Sequence, residues 1–311
     1  MLGVESVTRW ARWGRAYFGL QAIAGASWWI AVFTSSMVRE ATLGNLNPVA
    51  VAALDLPLFV VASAFAGFGF RAAAVVSTCW TSIVAVALAT YATITTEAGW
   101  GAVIMLAAAA GALIALCLIL LGRLPTSWII RGPFTFRPAK SHPSAAKHVA
   151  STFVQIVIFW GSFLVVIPVT LAALEQRWAA TLPFPSFAGP FGLAVLVLAI
   201  ALGLWSAVAM STLGDGTPLP LAMANRLVIA GPYRWVRNPM AVAGIVQGAA
   251  VGLILQSWFV VAYAVAGSLV WNYAVRPLEE FDLKERFGEE FQRYQETVKC
   301  WIPRVPQTPR P

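Results

Sequence analysis

Two polar clusters in this chain contain the residues best suited to chemistry, and each lies next to a long apolar run. The first cluster holds Arg234 and Arg237, and the second holds Arg276, Glu279 and Glu280. Guanidinium groups bind carboxylates and phosphates, whereas carboxylates attract a positive centre. If the two clusters meet, we expect them to enclose a ligand that carries both kinds of charge.

The sequence around the first cluster predicts a helix start that could itself bind an anion. Asn238 suits an N-cap, and Pro239 suits the first helical turn. The unpaired N–H groups of such a start favour a carboxylate or phosphate. The apolar runs Pro239–Leu255 and Trp258–Val275 are separated only by Gln256-Ser257, which predicts a helical hairpin. Both clusters would then lie at the same membrane face.

A purely structural interpretation of these charges is also open. Arginines beside a membrane span commonly anchor its topology. Glu279 and Glu280 could then serve only to neutralise them. From the chemistry of the residues alone, the two interpretations stand side by side.

Composition indicates a polytopic membrane protein rather than a soluble domain. Of the 311 residues 59% are hydrophobic and 11% charged, and the mean hydropathy is +0.75. A spanning helix needs about 20 predominantly apolar residues. The predicted fold is all-α, a transmembrane bundle of about eight spans with a cytoplasmic amphipathic helical tail. The predicted spans are Tyr17–Val38, Val49–Phe70, Ala73–Thr95, Gly99–Leu121, Phe153–Leu174, Pro190–Thr212, Pro239–Leu255 and Trp258–Val275.

The distribution of basic residues predicts that both termini are cytoplasmic. With the N-terminus inside, the outer loops contain only Arg39 and Arg177 of the 21 Lys and Arg residues. We therefore expect a multi-pass protein of the inner cell membrane, whose net charge of +8 favours anionic lipid headgroups as partners. The basic residues form no continuous stripe, which argues against a nucleic-acid partner. The oligomeric state stays open.

The chain divides into three predicted regions. Residues 1–125 form a four-span membrane region of unknown role, 126–150 a basic cytoplasmic linker, and 151–311 a second membrane domain that contains both polar clusters. The linker holds the two histidines, His142 and His148, in a pattern that favours a solvated loop over a metal site. No cysteine pair suggests a disulfide or metal site.

Some residues in and after the spans suggest packing rather than chemistry. Asp55 is an intramembrane carboxylate, and we expect a helix N-terminus or water near the interface to satisfy it. Gly244, Gly248 and Gly252 share one helix face, which favours close packing against the eighth span over a groove for a flat ligand. Gly288 predicts a break between two short amphipathic helices in the tail.

The motifs after residue 213 resemble those of the isoprenylcysteine carboxyl methyltransferase and phospholipid methyltransferase superfamily of integral membrane enzymes. The resemblance covers roughly residues 151–311, which it identifies as the predicted methyltransferase domain, and it is tightest over 213–304. Ala241 departs from it, because many members have Tyr there. The matching motifs are Leu227-Val228, Gly231-Pro232-Tyr233, Arg237-Asn238-Pro239-Met240, Gly244, Glu279-Glu280 with Leu283, Phe287-Gly288 with Phe291 and Tyr294, and Val298 with Ile302-Pro303.

The resemblance implies methyl transfer from S-adenosylmethionine to a lipophilic acceptor at the cytoplasmic membrane face. Arg237 and Glu279 are then the candidate catalytic residues, and Arg276 is the candidate substrate-binding residue. No metal is implied. The candidate cofactor-binding residues are Asn225, Arg226, Leu227, Val228, Gly231, Tyr233, Asn238, Pro239, Met240, Ala241, Glu279 and Glu280.

The acceptor and two other functions stay open at this point. A carboxylate, such as that of an isoprenylcysteine, or an already neutral nucleophile of another lipid is favoured over an amine, because an amine acceptor would need a proton sink that the motifs do not supply. A membrane-embedded reductase that uses NADPH is the second function, although the acidic tail suits a phosphate poorly. A non-enzymatic membrane protein that binds a partner is the third.

Overall fold

The computed structural model describes residues 4–126, 154, 157–158, 160–214 and 225–303, and all regular elements in these ranges are helical. The α-helices are α1 Val4–Thr34, α2 Ser36–Leu43, α3 Pro48–Asp55, α4 Ala62–Phe68, α5 Arg71–Thr95, α6 Gly99–Leu121, α7 Ile167–Arg177, α8 Ala188–Leu213, α9 Pro239–Ile254, α10 Trp258–Val270 and α11 Arg276–Thr297. Three π-helices, Leu56–Val61, Gly161–Val166 and Trp271–Val275, and a 3₁₀ turn, Gly231–Arg234, complete the described elements.

Six of the described helical segments are long and apolar enough to cross a membrane. The first four predicted spans correspond to Trp10–Thr34, Pro48–Phe68, Arg71–Thr95 and Gly99–Leu121, and the sixth to Ala188–Leu213. Together with the all-helical architecture, these segments confirm the predicted polytopic bundle. The fifth predicted span lies partly outside the described residues. The seventh, Pro239–Ile254, is apolar but shorter than the other segments.

The eighth predicted span does not end before the tail. The helix continues from Trp258 through the π-helix Trp271–Val275 to Thr297, so the first tail helix extends the span directly. The expected break is present at Gly288, whose φ of 50° and ψ of −123° interrupt α11. Glycine adopts such a backbone without the steric cost that a Cβ would bring.

The chain forms two compact units, of residues 1–125 with 174–181 and of 126–173 with 182–311. The division into functional domains at 1–125, 126–150 and 151–311 stays a prediction. Within the linker, 127–150 lies outside the described residues, including His142 and His148. The described residues contain no cluster of potential metal ligands.

Small residues let the helices of the first unit approach closely. Phe18 of α1 is fully buried in a cluster that includes Ala74 of α5 and Ala112 of α6. At Gly14 an added Cβ would come within 2.6 Å of the carbonyl oxygen of Ala115. Helices in membranes associate through such contacts, since lipid supplies little hydrophobic drive between them.

The second unit contains the predicted hairpin. Ser257 caps α10 by accepting a hydrogen bond from the N–H of Val260 at 3.3 Å, and its own N–H donates to the carbonyl of Gly252 at 2.9 Å. Helix α9 packs against both α8 and α10. The buried Gln247 side chain reaches α8, where its Nε2 donates to the carbonyl of Ala199 at 3.0 Å. These contacts fix the position of the α9 start, where the first polar cluster lies.

The three glycines of α9 differ in their surroundings. A Cβ at Gly252 would lie 2.7 Å from Cγ2 of Val261, and one at Gly248 would lie 3.2 Å from Cβ of Ala264. Both glycines therefore pack against α10, as expected. A Cβ at Gly244 would meet nothing within 4 Å, so the expectation of close packing is wrong there.

This difference predicts opposite effects of the same substitution. Gly252→Ala is expected to lower the free energy of unfolding by about 1–3 kcal/mol, because the new methyl group overpacks the hairpin. Gly244→Ala is expected to raise it by about 0.5–1 kcal/mol, because alanine restricts the unfolded chain and meets no neighbour. Unfolding of the purified protein in detergent measures both values. Equal effects of the two variants would contradict the packing described for this face.

Candidate functional site

The 3₁₀ turn Gly231–Arg234 leads the chain into the predicted first cluster. Gly231 has a positive φ of 59°, and an added Cβ would lie 3.3 Å from Nε1 of Trp205. Pro232 and Tyr233, the two central residues of the turn, are buried. The glycine is required here by both the backbone conformation and the close indole. The turn thereby holds the segment that approaches α9 against α8.

Asn238 caps α9 and also contacts the second cluster. Its Oδ1 accepts a hydrogen bond from the N–H of Ala241 at 3.3 Å, as the sequence predicts for this N-cap. Its Nδ2 donates to Oε2 of Glu279 at 3.1 Å. One side chain therefore links the helix start to the acidic pair.

Arg237 and Glu280 form the ion pair that joins the two clusters. Nη2 of Arg237 lies 3.0 Å from Oε1 of Glu280, and the side chains are 14% and 27% exposed. Gln295 donates to the other oxygen of Glu280 at 3.3 Å, and the N–H of Arg237 donates to the carbonyl of Lys299 at 3.1 Å. The groups of opposite sign therefore converge.

Both arginines of the site keep a buried donor without a partner. Nε of Arg237 and Nε of Arg276 are buried and have no hydrogen-bond acceptor among the residues that the structure describes. Buried polar groups are nearly always satisfied in folded proteins. These two donors are therefore suited to an acceptor group of a ligand.

A pocket of about 100 Å³ lies between the clusters. Ten of the predicted site residues line it: Arg226, Leu227, Val228, Tyr233, Arg237, Asn238, Met240, Arg276, Glu279 and Glu280. The other four predicted residues do not. Asn225 is exposed, and its backbone N–H donates to the carbonyl of Gly214. Gly231 belongs to the 3₁₀ turn and Pro239 to the start of α9. Ala241 lines a second cavity.

The sequence-based list of site residues omitted six others that line the pocket: Met210, Leu283, Phe287, Phe291, Tyr294 and Cys300. The helical spacing of the tail residues predicts an apolar face, and four of the six, Leu283, Phe287, Phe291 and Tyr294, lie on it. Nothing in the sequence marks Met210 or Cys300, because contact with this pocket depends on the packing of distant segments.

The tail is held over the pocket by Tyr294. Its hydroxyl donates to the carbonyl oxygen of Tyr233 at 2.6 Å, and both residues are buried. Phe291 and Val298 pack with it against Leu227. Burial raises the pKa of Tyr233, and the neighbouring Glu279 carboxylate raises it further. The Tyr233 phenol therefore stays neutral and adds no charge to the pocket.

A second cavity of about 340 Å³ opens beside the α9 start, and it is lined almost entirely by apolar groups. Met240 lines the charged pocket, and the next residue, Ala241, lines this cavity. Gly244 and Gly267 contribute no side chain, which leaves space between α9 and α10. Trp160, Phe163 and Trp271 form aromatic walls.

Removal of the Tyr294 hydroxyl tests the attachment of the tail. Tyr294→Phe is expected to lower the free energy of unfolding by about 1 kcal/mol, because the carbonyl of Tyr233 loses its buried donor. Tyr273→Phe is the matched control, since Tyr273 is 70% exposed. Thermal and chemical unfolding in detergent would measure both variants, and equal stability of the two would refute the role assigned to Tyr294.

Comparison with known proteins finds a family that part of this chain resembles. Residues 188–290 match the family model described as phospholipid methyltransferase. No curated protein matches the chain. A solved structure of a eukaryotic intramembrane Ras methyltransferase, isoprenylcysteine carboxyl methyltransferase, is 16% identical, with 93% of this chain and 97% of that chain covered and a TM-score of 0.32, too low to support an argument. The family match confirms the resemblance seen in the sequence. Residues 188–290, which carry most of the charged pocket, are therefore similar to phospholipid methyltransferases.

Proposed function

We propose that this protein transfers a methyl group from S-adenosylmethionine to a lipophilic acceptor at the cytoplasmic membrane face. The family match supports methyl transfer in a membrane. The observation that carries the proposal is the convergence of Arg237, Arg276, Glu279 and Glu280 on one pocket. The match is to methyltransferases, so we do not propose a reductase.

The charges of the pocket suit the charges of the proposed cofactor. S-adenosylmethionine has a carboxylate, an ammonium and a sulfonium. The unpaired Nε donor of Arg237 is suited to this carboxylate. Glu279, which accepts one hydrogen bond from Asn238, offers a carboxylate to a positive centre. Phe287 and Phe291 provide apolar walls for an adenine.

The pocket is smaller than a site for the whole cofactor. Its volume of about 100 Å³ compares with about 300–1,000 Å³ for typical ligand pockets. Binding therefore requires side chains that now fill the space to move outward. Leu283 and Phe287 are partly exposed and lie on the tail, so they can move at less cost than the buried Tyr233.

The residues contribute mainly position and exclusion of water. S-adenosylmethionine supplies an activated methyl group that a carboxylate oxygen can accept directly. The Arg237–Glu280 pair fixes one guanidinium, whereas Arg276 remains available to orient the acceptor carboxylate. The aromatic tail covers the pocket through Phe291 and Tyr294. Holding two reactants in line in a dry site supplies a large part of such catalysis.

The apolar cavity beside the pocket supports a lipophilic acceptor. Its walls suit an isoprenyl or acyl chain, and Ala241 places it next to Met240 of the charged pocket. An isoprenylcysteine-type carboxylate agrees best with the site. Methyl transfer from the sulfonium to a carboxylate oxygen gives a neutral thioether and a neutral ester, so there is no proton to remove. An amine acceptor would require a base.

The orientation in the membrane follows from charge. Nearly all Lys and Arg residues fall in loops assigned to one side, and this side carries both polar clusters. We therefore assign the pocket, the N-terminus and the C-terminus to the cytoplasmic side of the inner cell membrane.

Cofactor binding tests the acidic pair. Glu279→Gln and Glu280→Gln are each expected to weaken S-adenosylmethionine binding at least tenfold, because each replaces a carboxyl group that faces the pocket and can hold a positive centre. Glu289→Gln is the matched control, since that side chain is 88% exposed on the same helix and pairs with Arg293 at the surface. Calorimetry on protein in detergent measures all three. Unchanged affinity in both pocket variants would remove the acidic pair from the cofactor site.

Methyl transfer tests the acceptor class. Membranes containing the protein are incubated with methyl-labelled S-adenosylmethionine and a farnesylated cysteine carboxylate, with its amide and a phosphatidylethanolamine in parallel. The carboxylate is expected to acquire base-labile label, and Arg276→Gln is expected to lower its rate at least tenfold. Label only in the phospholipid would overturn the carboxylate assignment, and no label in any lipid would overturn the enzymatic one.

A further inference from the structure

A cavity of about 310 Å³ lies wholly within the first unit, where the family match does not reach. It is bounded by α1, by the segment from α3 to the first π-helix, and by α5 and α6. Most of its lining is apolar, as a membrane helix bundle requires. Its polar lining comes mainly from Tyr17, Gln21, Trp28 and Asp55.

Asp55 is a carboxylate held by neutral donors. It is 3% exposed, and its two oxygens accept hydrogen bonds from the indole N–H groups of Trp29 and Trp80, each at 2.8 Å. The expectation that a helix N-terminus or water satisfies it is therefore wrong. No Lys or Arg pairs with it in the described part of the chain. Intramembrane carboxylates usually have a charged partner or a function.

Gln21 also lines this cavity and carries a second acceptor. It is 5% exposed, and its Nε2 donates to the hydroxyls of Ser63 at 3.0 Å and Ser77 at 3.2 Å. Its Oε1 is buried and has no donor among the described residues. A buried acceptor without a donor costs about 1–3 kcal/mol. The amide nitrogen of Gln21 is thus hydrogen-bonded within the protein, whereas its oxygen has no donor among the described residues.

The backbone changes at the same place. Asp55 is the last residue of α3, and the π-helix Leu56–Val61 follows it directly. Phe59 of this π-helix is buried against α1, where a Cβ at Gly25 would lie 2.7 Å from its ring. Wide turns of this kind cost stability and are frequent at functional sites. The π-helix is a second observation, independent of the polar groups, that this region has a role besides packing.

We propose that this cavity binds a lipophilic amine, with its ammonium group between Asp55 and Gln21. An ammonium has three donors and no acceptor, so it can satisfy the free lone pairs of both side chains and neutralise the carboxylate. The indole of Trp28 in the lining suits a cation. Leu88, Ile104 and Met105 provide apolar contact for the carbon chain.

The chemistry of the lining separates an amine from other amphiphiles. A fatty acid or a phosphate-bearing headgroup would place a second negative charge beside Asp55, and the cavity lining contains no Lys or Arg. A neutral alcohol could donate a single hydrogen bond but would leave the charge uncompensated. The site is independent of the proposed methyl transfer, because all its residues belong to the first unit.

Binding of octylamine, with octan-1-ol as the neutral probe of equal chain length, tests the proposal. The full-length protein in nanodiscs is titrated by calorimetry, and protein-free nanodiscs correct for partition into lipid. We expect saturable binding of one octylamine per chain, at least tenfold tighter than octan-1-ol. Equal affinity for the two probes, or partition alone, would overturn the proposal.

Variants locate the binding. Asp55→Asn is expected to abolish the preference for the amine. Ala24→Leu, which adds bulk to the lining, is expected to lower the affinity for both probes. Glu40→Gln is the matched control, since it removes an exposed carboxylate outside this cavity. If Asp55→Asn does not fold, Gln21→Leu replaces it, with at least a fivefold loss of amine affinity expected. A folded Asp55→Asn or Gln21→Leu variant that keeps the wild-type preference for octylamine over octan-1-ol would refute the site.

Discussion

The ion pair between Arg237 and Glu280 is the interaction on which the second unit depends. The two residues belong to the start of α9 and to α11, and they meet only because α9 and α10 form a hairpin. Breaking a largely buried pair leaves an uncompensated charge, which costs more than the pair itself contributes. Its presence therefore constrains the hairpin, the approach of the tail and the shape of the pocket at once. The neighbouring bond from Asn238 to Glu279 strengthens this constraint, because it ties the cap of α9 to the same acidic pair.

The glycines of α9 show how one sequence pattern serves two purposes. Gly252 allows the backbone of α10 to come close, which sets the hairpin near its turn. Gly244 lies nearer the charged pocket and contacts nothing at its Cβ position, so the same helix opens an apolar cavity there. Tight packing at one end and space at the other place an apolar cavity beside a charged pocket. This arrangement suits the reaction that we propose between a polar cofactor and a lipid.

Sequence reasoning identified the features that depend on local rules. The N-cap at Asn238, the hairpin turn before Trp258 and the break at Gly288 follow from side-chain chemistry and backbone preference, and all three are present. The predicted hairpin also implied that the two polar clusters lie at the same membrane face, and in the structure they converge. Contacts between distant segments were not accessible in this way. Met210 and Cys300 line the pocket without any marking in the sequence, and the pattern of α9 could not separate Gly244 from Gly252. The helical connection from α10 into α11 was also missed, because the change from apolar to charged residues resembles a helix end.

The two units solve the problem of a buried carboxylate in different ways. Glu280 faces a guanidinium, so its charge is neutralised within the protein and its geometry is fixed by two hydrogen bonds. Asp55 receives two hydrogen bonds from indoles, which carry no net charge, and no Lys or Arg of the described residues pairs with it. Hydrogen bonding alone fixes the direction of that carboxyl group and holds it in place. Gln21 lines the same cavity and its side-chain oxygen has no donor among the described residues, so both polar groups can accept a further hydrogen bond. A cationic donor suits both groups, and this shared need for a donor distinguishes a proposed binding site from a polar contact that serves packing alone.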